Sequence, residues 1–204
     1  MSDDPLRMYL VVRRGAVEDL ANAGALAGAA AVACVRDPTF ADAVAAWRPR
    51  PGKVCLRART RGQWEQVLEE PHAQAGDSVV ALPPRRRSER GPLLERLQAM
   101  STDLSAAPET APPQPGALTY LLNPDAQMSS GKTLAQIAHA AVIAADTGRF
   151  EDWVRAGCPG RVLAPAADGF AAACARADLA ACVADAGLTE VAPGTITVIA
   201  LPPG

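Results

Sequence analysis

The chain states the same ordered set of landmarks twice. Ser78-Val79-Val80-Ala81-Leu82-Pro83-Pro84 is nearly repeated by Thr197-Val198-Ile199-Ala200-Leu201-Pro202-Pro203. Upstream of each lies a Tyr-Leu pair, Tyr9-Leu10 and Tyr120-Leu121. Each pair is followed by an Ala-rich stretch opening on Leu26-Ala27 or Leu134-Ala135. Next come Phe40 and Trp47 before Pro51-Gly52-Lys53-Val54, matched by Phe150 and Trp153 before Pro159-Gly160-Arg161-Val162. Self-similarity in this order predicts a two-copy array and excludes folds that need one uninterrupted unit.

Each copy gives the same succession of elements. A short strand (8–13; 118–122) precedes a helix (19–35; 132–147). A Trp-bearing connection leads to a second strand (53–58; 161–164) and a second helix (62–70; 169–177). An apolar strand closes the unit. Only the second copy shows a further candidate strand, Ala181–Ala184, before Asp185-Ala186-Gly187. Strands alternating with helices predict an α/β fold: two tandem copies of a small mixed β-sheet flanked by helices. Apolar residues make up 49% of the 204 but aromatics only 4%, so the expected core is one of small side chains and close helices.

Two unlike segments separate the copies. Arg85-Arg86-Arg87, with Arg90 and Arg96, runs into a helical-looking stretch at 93–100. Residues 107–116 hold Pro108, Pro112, Pro113 and Pro115 and predict an extended linker. The boundaries are therefore set at 1–102, 103–116 and 117–204. Net charge is −2 and the pI about 5.7, so a nucleic-acid partner needs a local basic patch. The first copy and its arginine run supply one; the second copy is acidic.

The five cysteines have no CxxC spacing and only two histidines accompany them, which argues for free thiols in a reducing compartment and no zinc site. The acidic start lacks the apolar core of a signal peptide, and no apolar run is long enough to span a bilayer. The expected location is the cytoplasm, with no membrane partner.

Ser130-Gly131-Lys132-Thr133 ends like a phosphate-binding loop. That loop needs a glycine five residues before Gly131, and Ala126 stands there. On a helix, Lys132, Gln136 and His139 share one face, while Leu134, Ile137, Ala138, Ala141, Val142 and Ala145 face the other way. Ser129 or Ser130 can cap the start. Lys132 then sits beside free N–H groups at the positive end of the helix, a place suited to an anion or an oxyanion. A second polar cluster, 185–198, supplies one aspartate, threonines and a Gly/Pro-shaped turn before the last strand.

Together these clusters resemble the type II peptidyl-tRNA hydrolase family. The family's helix signature stands here as Gly131-Lys132, Ala135-Gln136 and His139-Ala140. Its closing signature stands as Asp185-Ala186-Gly187, Thr189-Glu190, Ala192-Pro193-Gly194-Thr195 and Thr197-Val198. The resemblance covers 118–204. It implies a mixed four-stranded sheet and hydrolysis of the ester joining a peptidyl or N-blocked aminoacyl group to tRNA, with neither metal nor cofactor. It implies catalytic roles for Lys132, Asp185, His139 and Thr195, and substrate contacts from Gln136, Thr189 and Gly131. Three departures stand out: Ser130 where the family has a basic residue, Leu188 where it has Arg, and Leu201-Pro202-Pro203 at the end. The first two remove positive charge near the site.

Aligning the helices on Leu26 and Leu134 sets Gly24, Gly28 and Ala31 opposite Lys132, Gln136 and His139. The polar face is absent, so the first copy reads as structural. Family members form homodimers, so the expectation is a monomer folded as an intramolecular pseudo-dimer, with a homodimer the other possibility. Arg85, Arg86 and Arg87 are the candidate tRNA-phosphate contacts. The competing reading is a non-catalytic tRNA- or protein-binding module on the same scaffold; an NTPase is more distant.

Overall fold

The structure, a computed structural model, describes residues 4–101, 104–187 and 190–204. Two mixed sheets enclose a pair of long helices. The first sheet contains β1 (Arg7–Arg13), β2 (Gly52–Ala58), β3 (Ala73–Ala75), β4 (Val79–Arg85) and β5 (Gln98–Ala99), in the order β3-β4-β1-β2-β5. The second contains β6 (Leu118–Leu122), β7 (Gly160–Leu163), β8 (Ala181–Ala184) and β9 (Ile196–Leu201), in the order β7-β6-β9-β8. In the first sheet β1 is parallel to β2 and antiparallel to β4. In the second β6 is parallel to β7 and antiparallel to β9. Four strands of each sheet therefore share one arrangement.

The helices are α1 (Leu20–Arg36), α2 (Ala41–Trp47), α3 (Arg61–Glu69), α4 (Gly91–Arg96), α5 (Ser130–Asp146), α6 (Glu151–Arg155) and α7 (Ala167–Cys174). Asp19 caps α1 by accepting from the Asn22 N–H, and Asp37-Pro38 ends it. Ser129 caps α5 by accepting from the Lys132 N–H at 3.3 Å. The tryptophan landmarks also have a common cause. The indole of Trp47 donates to the Gly52 carbonyl at 2.8 Å, and that of Trp153 to the Pro159 carbonyl at 2.8 Å. Each buried ring thus fixes the entry to a strand.

Strand alternation sorts the side chains into layers. Met8, Leu10 and Val12 of β1, with Leu118, Tyr120 and Leu122 of β6, face inward onto α1 and α5 and share one core. Tyr9, Val11 and Leu56 face outward onto Trp64, Val67 and Leu94. Leu121, Leu163 and Ile199 face outward onto Phe170. The layers run α3/α4, sheet, α1/α5, sheet, α7.

The two central helices run side by side in the same direction. At their starts Leu20 N–H donates to Ser105 O at 2.9 Å, and Leu104 N–H to Ser130 Oγ at 3.4 Å. At their ends Arg36 donates to Ala145 O at 2.7 Å and pairs with Glu151, while Arg48 pairs with Asp146. Close approach depends on missing side chains. A Cβ at Gly24 would lie 2.6 Å from Ile137 Cδ1, and one at Gly28 would lie 3.1 Å from Tyr120 Oη.

Several expectations need correction. The helical stretch at 93–100 ends at Arg96, and Gln98–Ala99 instead pairs antiparallel with β2. The additional strand is not peculiar to the second sheet, since the short β3 occupies the place of β8. It was hard to see because only Ala73, Gln74 and Ala75 form it. The prolines of β4 sit where its register against β1 shifts, which absorbs their missing donors. The helix alignment on leucines is two residues out. Both helices bury the same succession of positions when their caps, Asp19 and Ser129, are matched. Asn22, Leu26 and Ala29 then stand opposite Lys132, Gln136 and His139. Residues 107–116 are extended and bonded to the second sheet: Pro108 O accepts from Ala164 N–H, and Ala111 and Pro112 accept from Arg161.

The start of α5 is seated on the first half of the chain. A Cβ at Gly131 would lie 2.5 Å from the Met100 carbonyl oxygen. Gly131→Ala is expected to destabilise the protein by about 1–3 kcal/mol, overriding the ~1 kcal/mol that Ala gains in a helix. Urea unfolding checks this; an unchanged or raised midpoint would mean that Met100 is not held against α5.

Candidate functional site

β6 and β8 both point their C-terminal ends at the start of α5, because each is antiparallel to β9. The sharp exit from β8 places Asp185 there. Its backbone is pinned on both sides: Asp185 N–H donates to Thr195 O at 2.9 Å, and Gly194 N–H to Asp185 O at 2.8 Å. Gly187, at φ +72°, turns the chain so that its N–H meets Asp185 Oδ1 at 2.7 Å. That conformation and the nearby Pro193 ring leave no room for a Cβ.

Lys132 and Gln136, one turn apart on α5, both donate to Asp185 Oδ2. Asp185 is buried, its side chain 6% exposed, and that of Lys132 is 16% exposed. Burial pushes the Asp185 carboxyl upward. The hydrogen bonds from Lys132 and the Gly187 N–H, the Lys132 charge and the Gln136 amide outweigh it, so the group lies below the ordinary aspartate value. Asp185 is therefore an ionised carboxylate with both oxygens occupied.

Glu190 completes the loop. Its carboxylate accepts from the Ser129 N–H at 2.6 Å and from Ser129 Oγ at 2.8 Å. The loop carrying Thr195 is thus tied to the α5 cap, beside the helix end where free N–H groups favour negative charge. Glu190 and Ser129 were not among the residues singled out. The signal was present, since Glu190 lies within the closing motif and Ser129 at the cap position.

His139 lies further along α5 and is half-buried. Burial, then the nearby Lys53 charge, depress its pKa to about 3 against the opposing pull of Asp185. It is a neutral imidazole across physiological pH. Lys53 comes from β2, in the other sheet, and sequence reading missed it entirely. Its ammonium sits 4.6 Å from the centroid of the Trp47 ring. Burial lowers its pKa to about 7, with Asp146 opposing.

The remaining expected residues are placed differently. Gly131 is buried under Met100, so its backbone serves the contact between the two halves. Thr189 lies outside the described residues. Arg85, Arg86 and Arg87 follow β4, whose end pairs with the start of β1, so they stand at the opposite edge from the start of α5. Arg85 pairs with Glu70 at 3.0 Å. Arg86 donates to the Asp4 carbonyl, and the Arg87 N–H to the Asp4 carboxylate. The structure does not bring these three to Lys132 and Asp185. Among the described residues no group of His, Cys, Asp or Glu is arranged to hold a metal ion, and no helix is long and apolar enough to cross a membrane.

Residues 117–204 match the family model Peptidyl-tRNA hydrolase PTH2. The match takes in the whole second sheet, α5 and the Asp185–Thr195 loop, and leaves the first sheet outside it. No solved structure matches the chain significantly. The peptidyl-tRNA hydrolase region thus contains every contact to Asp185 described above, while Lys53 reaches His139 from beyond it.

A pH dependence follows from Lys53. Its folded pKa of about 7 lies below its model value of 10.5, so the unfolded chain binds more protons between those limits. The stability penalty is full below pH 7 and fades as pH rises toward 10.5. Lys53→Met should therefore raise the Tm more at pH 6 than at pH 9.5. Equal gains at both would show that Lys53 is not desolvated.

Proposed function

We propose that the protein hydrolyses the ester between a peptidyl or N-blocked aminoacyl group and tRNA, at Lys132 and Asp185. The observation that carries this reading is the convergence of Lys132 and Gln136 on one buried Asp185 oxygen, at the start of α5. The family match over residues 117–204 supports the substrate class. Attack of water on the ester carbonyl puts negative charge on its oxygen. An ammonium and helix-end N–H groups at that point stabilise such charge, an effect worth about 3–4 kcal/mol per donor in comparable sites.

In this reading Asp185 acts chiefly by position. A carboxylate held below its usual pKa, with both oxygens engaged, is a weak proton acceptor, but it fixes the Lys132 ammonium and the Gln136 amide. His139 acts as a neutral hydrogen-bonding group toward the acyl-tRNA. Thr195, paired to the Asp185 backbone, positions water or the ribose. Thr189, in the same loop by sequence, is assigned to substrate contact. Residues 1–102 are proposed as a duplicated copy that has lost its site. Where the second copy has the 185–195 loop, the first has only the tight turn at Gly76-Asp77. The competing binding-module reading has no use for a buried Lys132–Asp185–Gln136 cluster.

The test is release of N-blocked amino acid from aminoacyl-tRNA, in EDTA. Lys132→Ala and Asp185→Asn should each lower kcat/KM by about 10²–10³, the loss typical of an oxyanion donor. The double variant should fall little further, because the two act as one unit. Wild-type turnover that survives both substitutions would overturn these assignments. A folded wild type without turnover would overturn the hydrolase reading.

A further inference from the structure

We propose that Arg14, Arg57 and Arg59 form a binding site for a backbone phosphate of the RNA substrate, beside the reaction site. β1 and β2 are parallel and end together, so their last residues bring these arginines to one edge. They line a cavity of about 180 Å³ with Gln98, Met100 and Ser101. That volume exceeds several waters' share of liquid water, room for a phosphate and part of its hydration. No carboxylate lines it among the described residues.

Like charges rarely gather without a counter-charge to meet. Arg36, Arg48, Arg61, Arg85, Arg155 and Arg176 all form ion pairs with acidic side chains. The side chains of Arg14 and Arg59 are exposed and form none among the described residues. Burial, then the Arg14 charge, holds the Arg57 guanidinium below its ordinary pKa, with Arg59 adding to the effect. An anion in the cavity would relieve that repulsion, and phosphate suits the planar donor fork of arginine.

The position ties the cavity to the proposed chemistry. Met100 lines it, and the Met100 carbonyl lies against Gly131, the neighbour of Lys132. The helices α1 and α5 are parallel, so the carboxyl edges of both sheets face the same end of the molecule. Positive charge missing at Ser130 and Leu188 is thus supplied from the other sheet. The arginines nearest the start of α5 are these three, not Arg85, Arg86 and Arg87 at the far edge.

This assignment rests on the reading of the chain as a tRNA-ester hydrolase, but its test breaks no bond. Retention of deacylated tRNA on filters, measured over a range of salt, gives Kd and its salt slope. Arg14→Ala/Arg59→Ala should weaken binding about 10-fold or more and reduce the slope by about two, one per lost phosphate contact. Arg155→Ala, on exposed α6, should change neither. Matching thermal melts would confirm that the double variant is folded. Wild-type affinity in the double variant, an equal loss in Arg155→Ala, or no tRNA retention by wild type would each overturn the site. A loss confined to the double variant, in a protein that lacks turnover, would uphold the arginine site and refute the hydrolase reading.

Discussion

The contact between α1 and α5 organises the molecule. Each sheet has one inner face, and neither face is covered without the helix pair. Because the pair is parallel, joined at its starts through Leu104 and Ser105 and at its ends through Arg36 and Arg48, the carboxyl edges of both sheets meet at one end. The same contact seats Gly131 on Met100 and carries Lys53 toward His139. Gly24 and Gly28 are what allow it. Side chains there would push α1 off Ile137, Val162 and Tyr120.

Much of this was legible in the sequence, for identifiable reasons. The repeated landmarks mark strands with strict inward and outward alternation, and tryptophans whose indoles bond the same kind of carbonyl. The lost polar face of the first copy was also visible, although the cap residues, rather than the leucines, set the correct alignment. β3 and β5 were invisible because two or three residues carry no periodicity. Lys53 was invisible because its neighbours come from a distant part of the chain. The arginine run at 85–87 attracted notice as a charge block, yet Glu70 and Asp4 engage it. Arg14, Arg57 and Arg59 are scattered in sequence and only the parallel pairing of β1 and β2 gathers them.

Chemically, the site is a fixed electrostatic arrangement. Asp185 is ionised because Lys132, Gln136 and the Gly187 N–H hold it so, and Lys132 is aimed because Asp185 holds it. Nothing there must reorganise as charge develops on the substrate, which is the condition under which such groups contribute most. The first copy, having surrendered its loop to a two-residue turn, contributes the wall on which α5 is set.

The most direct measurement is hydrolysis of an N-blocked aminoacyl-tRNA in ¹⁸O-labelled water, with mass analysis of both products. Attack of water on the ester carbonyl predicts one labelled oxygen in the released carboxylate and none in the 3′-terminal ribose. Label in the ribose would contradict attack at the carbonyl. Release of no acid at all by folded protein would contradict the hydrolase account itself.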